Sequence, residues 1–259
     1  MKYLIAFLLL FSTASYAAKR DSGQPKNVES ITVLASSSIA IPATEISKLY
    51  SRTENVDVNA VFDSTAELYS KIEDGDPADI IITPSIKLLE QLKEHGLIDS
   101  TSKIILAGNR LAVISTKDMK YSTDKLDVKE ILGEIYNKTI MTIGDTNTTS
   151  LGFFTKQALQ SLNLWQKFER RVQLGPTSSK TTDLIIKGQS AGIVYLSDAE
   201  LYKDDLNLLA VIPDTMHEPI EYYAAIVVGD NMEKARKYLA YLSSNEAKQV
   251  FKMNGFIVK

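Results

Sequence analysis

The chain has 259 residues, 44% of them apolar and 24% charged, with 29 Lys and Arg against 32 Asp and Glu. That balance fits a globular protein with one large or two medium cores, and its weak negative charge argues against nucleic acid and against a polybasic membrane surface. The absence of cysteine removes disulfides, thiolate metal sites, cysteine nucleophiles and a lipid anchor on a processed N-terminal cysteine.

Met1 to Ala17 holds one basic residue, Lys2, then the apolar run YLIAFLLLF and a small-x-small site at Ser15-Tyr16-Ala17. This pattern is that of a secretory signal peptide, too short to cross a bilayer. The mature chain is therefore expected to start near Ala18 and to be free in the periplasm. Without Lys2 it carries 28 basic and 32 acidic residues, a net charge of −4. Residues 18–29 are polar, include Gly23 and Pro25, and are expected to form a flexible tether.

The stretch ITVLASSSIAIPATEI, Ile31 to Ile46, then reads as strand, hydroxyl-rich turn and helix. Ile31, Val33, Leu34 and Ala35 suit a buried strand. Ser38 is the expected N-cap of a helix over about Ile39 to Arg52, with Pro42 in the first turn, where a missing N–H costs little. A strand follows at Val56 to Phe62. Ser64-Thr65-Ala66-Glu67 has capping-box spacing ahead of Leu68 and Ile72 and predicts a second helix, closed by Gly75 and Pro77. Asp79 to Thr83 is a buried-strand run, and a third helix is expected from Ser85 to His95, ended by Gly96.

Two strand-like runs, KIILA and RLAVIST, flank Gly108-Asn109, a plausible crossing between domains. A helix near Val128 to Tyr136 leads to a strand, Thr139 to Ile143, and then to GDTNTTSLGFFTKQAL, another hydroxyl-rich start, for a helix over Leu151 to Leu162. Thr177, Ser178 and Ser179 open a fourth such helix, which stops at Gly188. A strand at Ala191 to Tyr195, a helix beginning near Asp198, strands at Leu206 to Ile212 and Tyr222 to Val228, and two C-terminal helices complete the chain. Regular alternation predicts an α/β fold of two lobes, each a mostly parallel sheet flanked by helices. The expected division is 30–108 plus 217–259 for the first lobe and 109–216 for the second.

Four hydroxyl-bearing helix starts at the C-terminal ends of strands, two in each half, point free N–H and O–H groups at a common cleft. Open α/β sheets bind ligands there, and helix N-termini favour anions. With no Lys or Arg in these loops, the expected ligand is a small ionised anion that accepts hydrogen bonds from every side.

The residues ITVLASSSI, FDSTAEL with GDPADIII, IGDTNTTSLGFFTKQAL, AGIVYLSDA and KQVFKMNGFIVK together resemble the periplasmic molybdate-binding proteins of ABC importers, in order and over essentially the whole mature chain. The resemblance implies a hinge-closing binding protein of the type II periplasmic class that takes molybdate or tungstate, passes it to a membrane permease, acts as a monomer and needs no cofactor. It places oxyanion donors at Ser38, Thr65, the Leu151 backbone, a position near Ser179, and the Tyr195 phenol; molybdenum is held as its oxyanion, with no direct protein–metal ligand. Closure is expected about Gly108-Asn109 and Met216 to Tyr222.

Thr65 replaces a serine usual in that family, which keeps the hydroxyl donor. Asp63 stands where a small neutral residue is common; it either caps locally or accepts a proton from the ligand, and the second role would favour hydrogen phosphate over molybdate or sulfate. A phosphate or sulfate binder is therefore the alternative within the class. A secreted hydrolase with Ser38 as nucleophile is the alternative outside it, with no nearby base in view. His95 and His217 read as surface or helix-end residues, Trp165 as packing, Tyr222 and Tyr223 as core. Asp145 and Asp198 are expected to cap or orient their loops.

Overall fold

The computed structural model describes residues 29–121 and 127–258. The expected leader and all but the last residue of the expected tether lie outside the described residues. In chain order the elements are β1 (Glu29–Ser36), α1 (Ala40–Glu54), β2 (Val56–Asp63), α2 (Thr65–Glu73), β3 (Ile80–Thr83), α3 (Ile86–Glu94), β4 (Ile104–Asn109), β5 (Leu111–Thr116), α4 (Val128–Lys138), β6 (Met141–Gly144), α5 (Ser150–Ser161), α6 (Trp165–Phe168), β7 (Val172–Gly175), α7 (Ser178–Gly188), β8 (Ala191–Tyr195), α8 (Leu196–Leu201), β9 (Leu206–Val211), β10 (Ile220–Ile226), α9 (Met232–Leu242) and α10 (Asn245–Met253).

Two five-stranded sheets form, in the orders β2-β1-β3-β10-β4 and β7-β6-β8-β5-β9. Each is mixed. Neighbours of β1 and of β6 run parallel, whereas β10 in the first sheet and β5 in the second pair antiparallel on both sides. These two strands are the ones that follow the crossings, so they enter their sheets from the opposite end. The chain passes from the first sheet to the second between Asn109 and Leu111, and returns between Val211 and Ile220.

The uniform apolarity of the central strands follows from burial on both faces. Val33 and Ala35 of β1 face the main core, while Leu34 packs on the other side with Leu68, Ile81 and Leu88. In the second sheet, Ile193 and Tyr195 join the main core and Val194 packs with Ala112, Ile114 and Ile185. The main core is continuous across both sheets, joining Leu106 and Tyr222 to Leu111, Phe154 and Tyr195. Two elements escaped the pattern reading. The strand VQLG of β7 has only Gly175 buried, and α6 is a single turn placed by Trp165 and the buried Phe168.

Candidate functional site

Three of the four hydroxyl-rich starts share one construction, in which one hydroxyl caps the helix and the next is left over. Ser64 Oγ accepts from the Glu67 N–H at 3.3 Å and leaves Thr65 at the first position of α2. Thr149 Oγ1 accepts from the Gly152 N–H at 2.9 Å and leaves Ser150 at the first position of α5. Thr177 Oγ1 accepts from the Lys180 N–H at 3.2 Å and leaves Ser178 at the first position of α7. The helix starts thus satisfy part of their orphan N–H set locally and present the remainder outward.

The fourth start differs from expectation. Ser38 does not cap α1; Ser37 to Ile39 form a 3-10 turn, and Ile39 precedes the helix with no side-chain cap. The turn moves the helix start onward and frees the hydroxyl. Ser38 Oγ instead accepts a hydrogen bond from the Tyr222 hydroxyl at 2.7 Å and lies 3.0 Å from Ser36 Oγ.

Groups from elements of the two sheets meet directly. Thr65 Oγ1 and Ser150 Oγ share a hydrogen bond of 2.7 Å, and the Ser150 N–H donates to Thr65 Oγ1 at 3.1 Å. The Ala66 N–H donates to the Thr148 carbonyl, and the Ser178 N–H to Ser37 Oγ, each at 3.1 Å. Leu151, the second residue of α5, is fully buried beside this contact. Close packing makes that placement possible: a Cβ on Gly152 would collide with the Asp145 carbonyl, and one on Gly175 with Thr181.

Tyr195, the last residue of β8, is fully buried, and its hydroxyl has no hydrogen bond of normal geometry among the described residues, the Tyr222 hydroxyl interacting with it only weakly. Its ring packs edge-on against Tyr222 at 6.2 Å. Burial pushes both phenols well above their usual range, so both stay protonated donors. Asn109, at the first crossing, donates from Nδ2 to Ser197 Oγ at 2.9 Å and ties that crossing to the start of α8.

Two cavities flank these contacts. One of 530 Å³ is lined by Thr65 and Ser150 with Tyr69, Lys87, Phe153 and Glu218. A smaller one of 120 Å³ is lined by Ser37, Ser38 and Ser179 with Ser197, Asp198 and Tyr202. The five expected donors therefore divide: Thr65 borders the first, Ser38 and Ser179 the second, and Leu151 and Tyr195 line neither. Ser179 is exposed, with its Oγ 3.3 Å from Thr177 Oγ1; the buried residue facing the opposite loop is Ser178, one position earlier.

Asp63 Oδ1 accepts from the Ser64 N–H at 2.8 Å, the local capping arrangement, and Asp63 lines neither cavity. Asp145 orders its loop by accepting from Asn147 and Thr149. His95 ends α3 near Tyr69 and Glu73, and His217 Nδ1 lies 2.7 Å from the Glu218 carbonyl. Among the described residues Ser38 has two hydroxyls as hydrogen-bond neighbours and no base in hydrogen-bond contact, whereas a serine nucleophile requires a proton acceptor. Among the described residues no group of three or more His, Asp or Glu is placed to hold a metal ion, and no helix is long and apolar enough to cross a membrane.

Sequence reasoning missed Ser37, Ser150 and Ser178 as groups that meet across the sheets, and Tyr222 as the partner of Ser38. The doubled hydroxyls Ser64-Thr65, Thr149-Ser150 and Thr177-Ser178 carried the signal for the serines, since one residue suffices for a cap. Nothing in the apolar context of Tyr222 distinguished its hydroxyl.

A family model described as bacterial extracellular solute-binding protein matches residues 31–257. The molybdate-binding protein ModA of Haemophilus influenzae is 30% identical over 235 residues, covering 88% of this chain and 90% of its own. The molybdate-binding protein ModA of Escherichia coli is 29% identical over 230 residues, covering 88% and 89%. Among solved structures, the Azotobacter vinelandii periplasmic molybdate-binding protein superposes with a TM-score of 0.75 at 16% identity, over 88% of this chain and 99% of that one. Its two sheets with flanking helices and a donor-lined interface accord with that fold, and the chain belongs to the bacterial extracellular solute-binding protein family.

Proposed function

We propose that the protein captures molybdate or tungstate in the periplasm and delivers it to an ABC-type permease, as a monomer. The observation that carries this reading is the Tyr195 hydroxyl, fully buried with no hydrogen bond of normal geometry among the described residues and only a weaker interaction with the Tyr222 hydroxyl, which itself donates to Ser38. An underused buried donor costs up to roughly 1–3 kcal/mol. A tetrahedral dianion seated between the two cavities, in place of the direct Thr65–Ser150 and Ser178–Ser37 contacts, would supply acceptors for the Tyr195 hydroxyl, for the Ser38 and Thr65 hydroxyls, and for N–H groups at the starts of α5 and α7. Both molybdate-binding curated relatives and the molybdate-binding structural neighbour support the same ligand class.

The moving bodies in this reading are 30–108 with 217–259 and 109–216. Contacts from both bodies to one anion stabilise the closed arrangement over the open one. About five donors at roughly 1.5–3 kcal/mol each amount to gross stabilisation on the order of 10 kcal/mol. After association costs, that corresponds to micromolar to nanomolar binding. Selectivity over sulfate comes from cavity size, because both ions are tetrahedral dianions. A phosphate binder would need an acceptor for the ligand's proton; Asp63, the candidate from the sequence, accepts from the Ser64 N–H and lines neither cavity.

The test is thermal unfolding of the mature protein with molybdate, tungstate, sulfate and phosphate. At about a hundredfold excess over the dissociation constant, a bound ion adds about 2.7 kcal/mol and raises the midpoint by several degrees. Stabilisation by phosphate alone would overturn the molybdate assignment.

A further inference from the structure

Asp198 sits at the third position of α8, is 9% exposed, and lines the same small cavity as Ser37, Ser38 and Ser179. Among the described residues its carboxyl accepts one side-chain hydrogen bond, from Thr182 Oγ1 of α7, long at 3.5 Å. The titratable groups around it, among the described residues, are Tyr195 of β8, Tyr222 of β10 and Tyr202 beyond α8, with Asp183 and Asp205 acting on Tyr202, and Ser197 and Asn254 are further polar groups lining the cavity. Among the described residues none of these is a cation. A carboxylate here would be buried without a counter-charge, a costly arrangement, and it would repel a dianion bound among the neighbouring serines.

We propose that Asp198 is a charge-selecting residue of the oxyanion cleft, held in its acid form when a dianion occupies the cleft, so that binding takes up a proton from solvent. This inference rests on the oxyanion reading of the cleft. The proton adds to one carboxylate oxygen, and no other bond changes. Burial already raises the carboxyl to about 7, with the Thr182 hydrogen bond opposing it; a nearby dianion raises it further. Below neutral pH the group is protonated before and after binding, and affinity is flat. Above it, each binding event must protonate a carboxylate, so affinity falls by up to tenfold per pH unit. A fully ionised ion is thereby accepted by a site containing an acidic side chain, with the acid acting as a donor or a neutral neighbour rather than a repelling charge.

Calorimetric titration of the full mature chain with sodium molybdate at pH 7.5, in two buffers of different ionisation enthalpy, reads the proton uptake directly. The expected result is a substantial fraction of a proton taken up per anion, and a dissociation constant that rises several-fold to tenfold between pH 7.5 and 8.5. Asp198→Asn removes both effects. Thr182→Val, which deletes the bond favouring the carboxylate, moves the onset of the affinity loss to higher pH and keeps the inference testable should Asp198→Asn fail to fold. Molybdate binding without proton uptake, unchanged uptake in Asp198→Asn, or an unmoved onset in Thr182→Val overturns the role of Asp198 alone. Failure of molybdate to bind the unmodified protein even at pH 6 overturns the oxyanion reading and this inference with it.

Discussion

Thr65 and Ser150, 85 residues apart in sequence, bring their hydroxyls to 2.7 Å, and the Ser150 N–H adds a second bond to the same Thr65 oxygen at 3.1 Å. Thr65 is therefore both a proposed ligand donor and a clasp between helix starts of the two sheets. Thr65→Ala should weaken molybdate binding by about 1–3 kcal/mol, roughly ten- to a hundredfold in the dissociation constant. Thr65→Ser retains the hydroxyl and should bind within a few-fold of the parent. Equal affinity in all three proteins, measured by calorimetry, would confine Thr65 to a structural role.

Tyr195 separates binding from folding. Its hydroxyl is buried with no hydrogen bond of normal geometry among the described residues, only a weaker interaction with the Tyr222 hydroxyl, so Tyr195→Phe removes a desolvated group at little loss of hydrogen bonding. The ligand-free variant should be as stable as the parent or more stable, by up to about 1–3 kcal/mol. Its molybdate affinity should nevertheless fall, because the proposed anion loses a donor. Denaturant midpoints and titrations on the same preparation read both quantities. A less stable variant with undiminished affinity would refute the proposed part of Tyr195.

The α/β alternation was legible because buried strands such as ITVLA and DIIIT are apolar on both faces, and because Gly75, Gly96 and Gly188 punctuate the helices. β7 was not legible: VQLG has three partly or fully exposed positions, and its place comes from parallel pairing with β6. Of the candidate site, the clustering of hydroxyls at helix starts was visible, but their division of labour was not. Ser38 was expected to cap α1, yet a 3-10 turn intervenes. Tyr222 was expected only to pack, yet its hydroxyl aligns Ser38 from a strand 184 residues away. Such pairings depend on sheet order, which local periodicity does not encode.

Gly152 tests how tightly the α5 start is placed. A methyl group there would strike the Asp145 carbonyl and the Gly144 carbonyl behind it. Gly152→Ala must shift the loop or the helix, at a cost of about 1–3 kcal/mol as for other overpacked sites. The Leu151 N–H and the Ser150 hydroxyl move with it. We therefore expect a lower unfolding midpoint together with a weaker molybdate response. By contrast Gly133→Ala, in α4 where a Cβ meets nothing within 4 Å, should be neutral or stabilising by up to about 1 kcal/mol.

Asp198 also leaves a signature on stability without ligand. Its carboxyl is at about 7 in the folded protein against an ordinary value of 3.8, so between those values the folded chain holds a proton that the unfolded chain has released. Stability from this group is fully present below about pH 4 and declines as pH rises, levelling off above about 7. The full span is on the order of 4 kcal/mol. Asp198→Asn has no proton to lose, so its stability should decline less over this range and exceed that of the parent most clearly at pH 8. The measurement is a set of urea midpoints from pH 4 to 8 for both proteins. Parallel curves for parent and variant would mean that the folded protein accommodates the carboxylate at no cost, against the expectation from its burial.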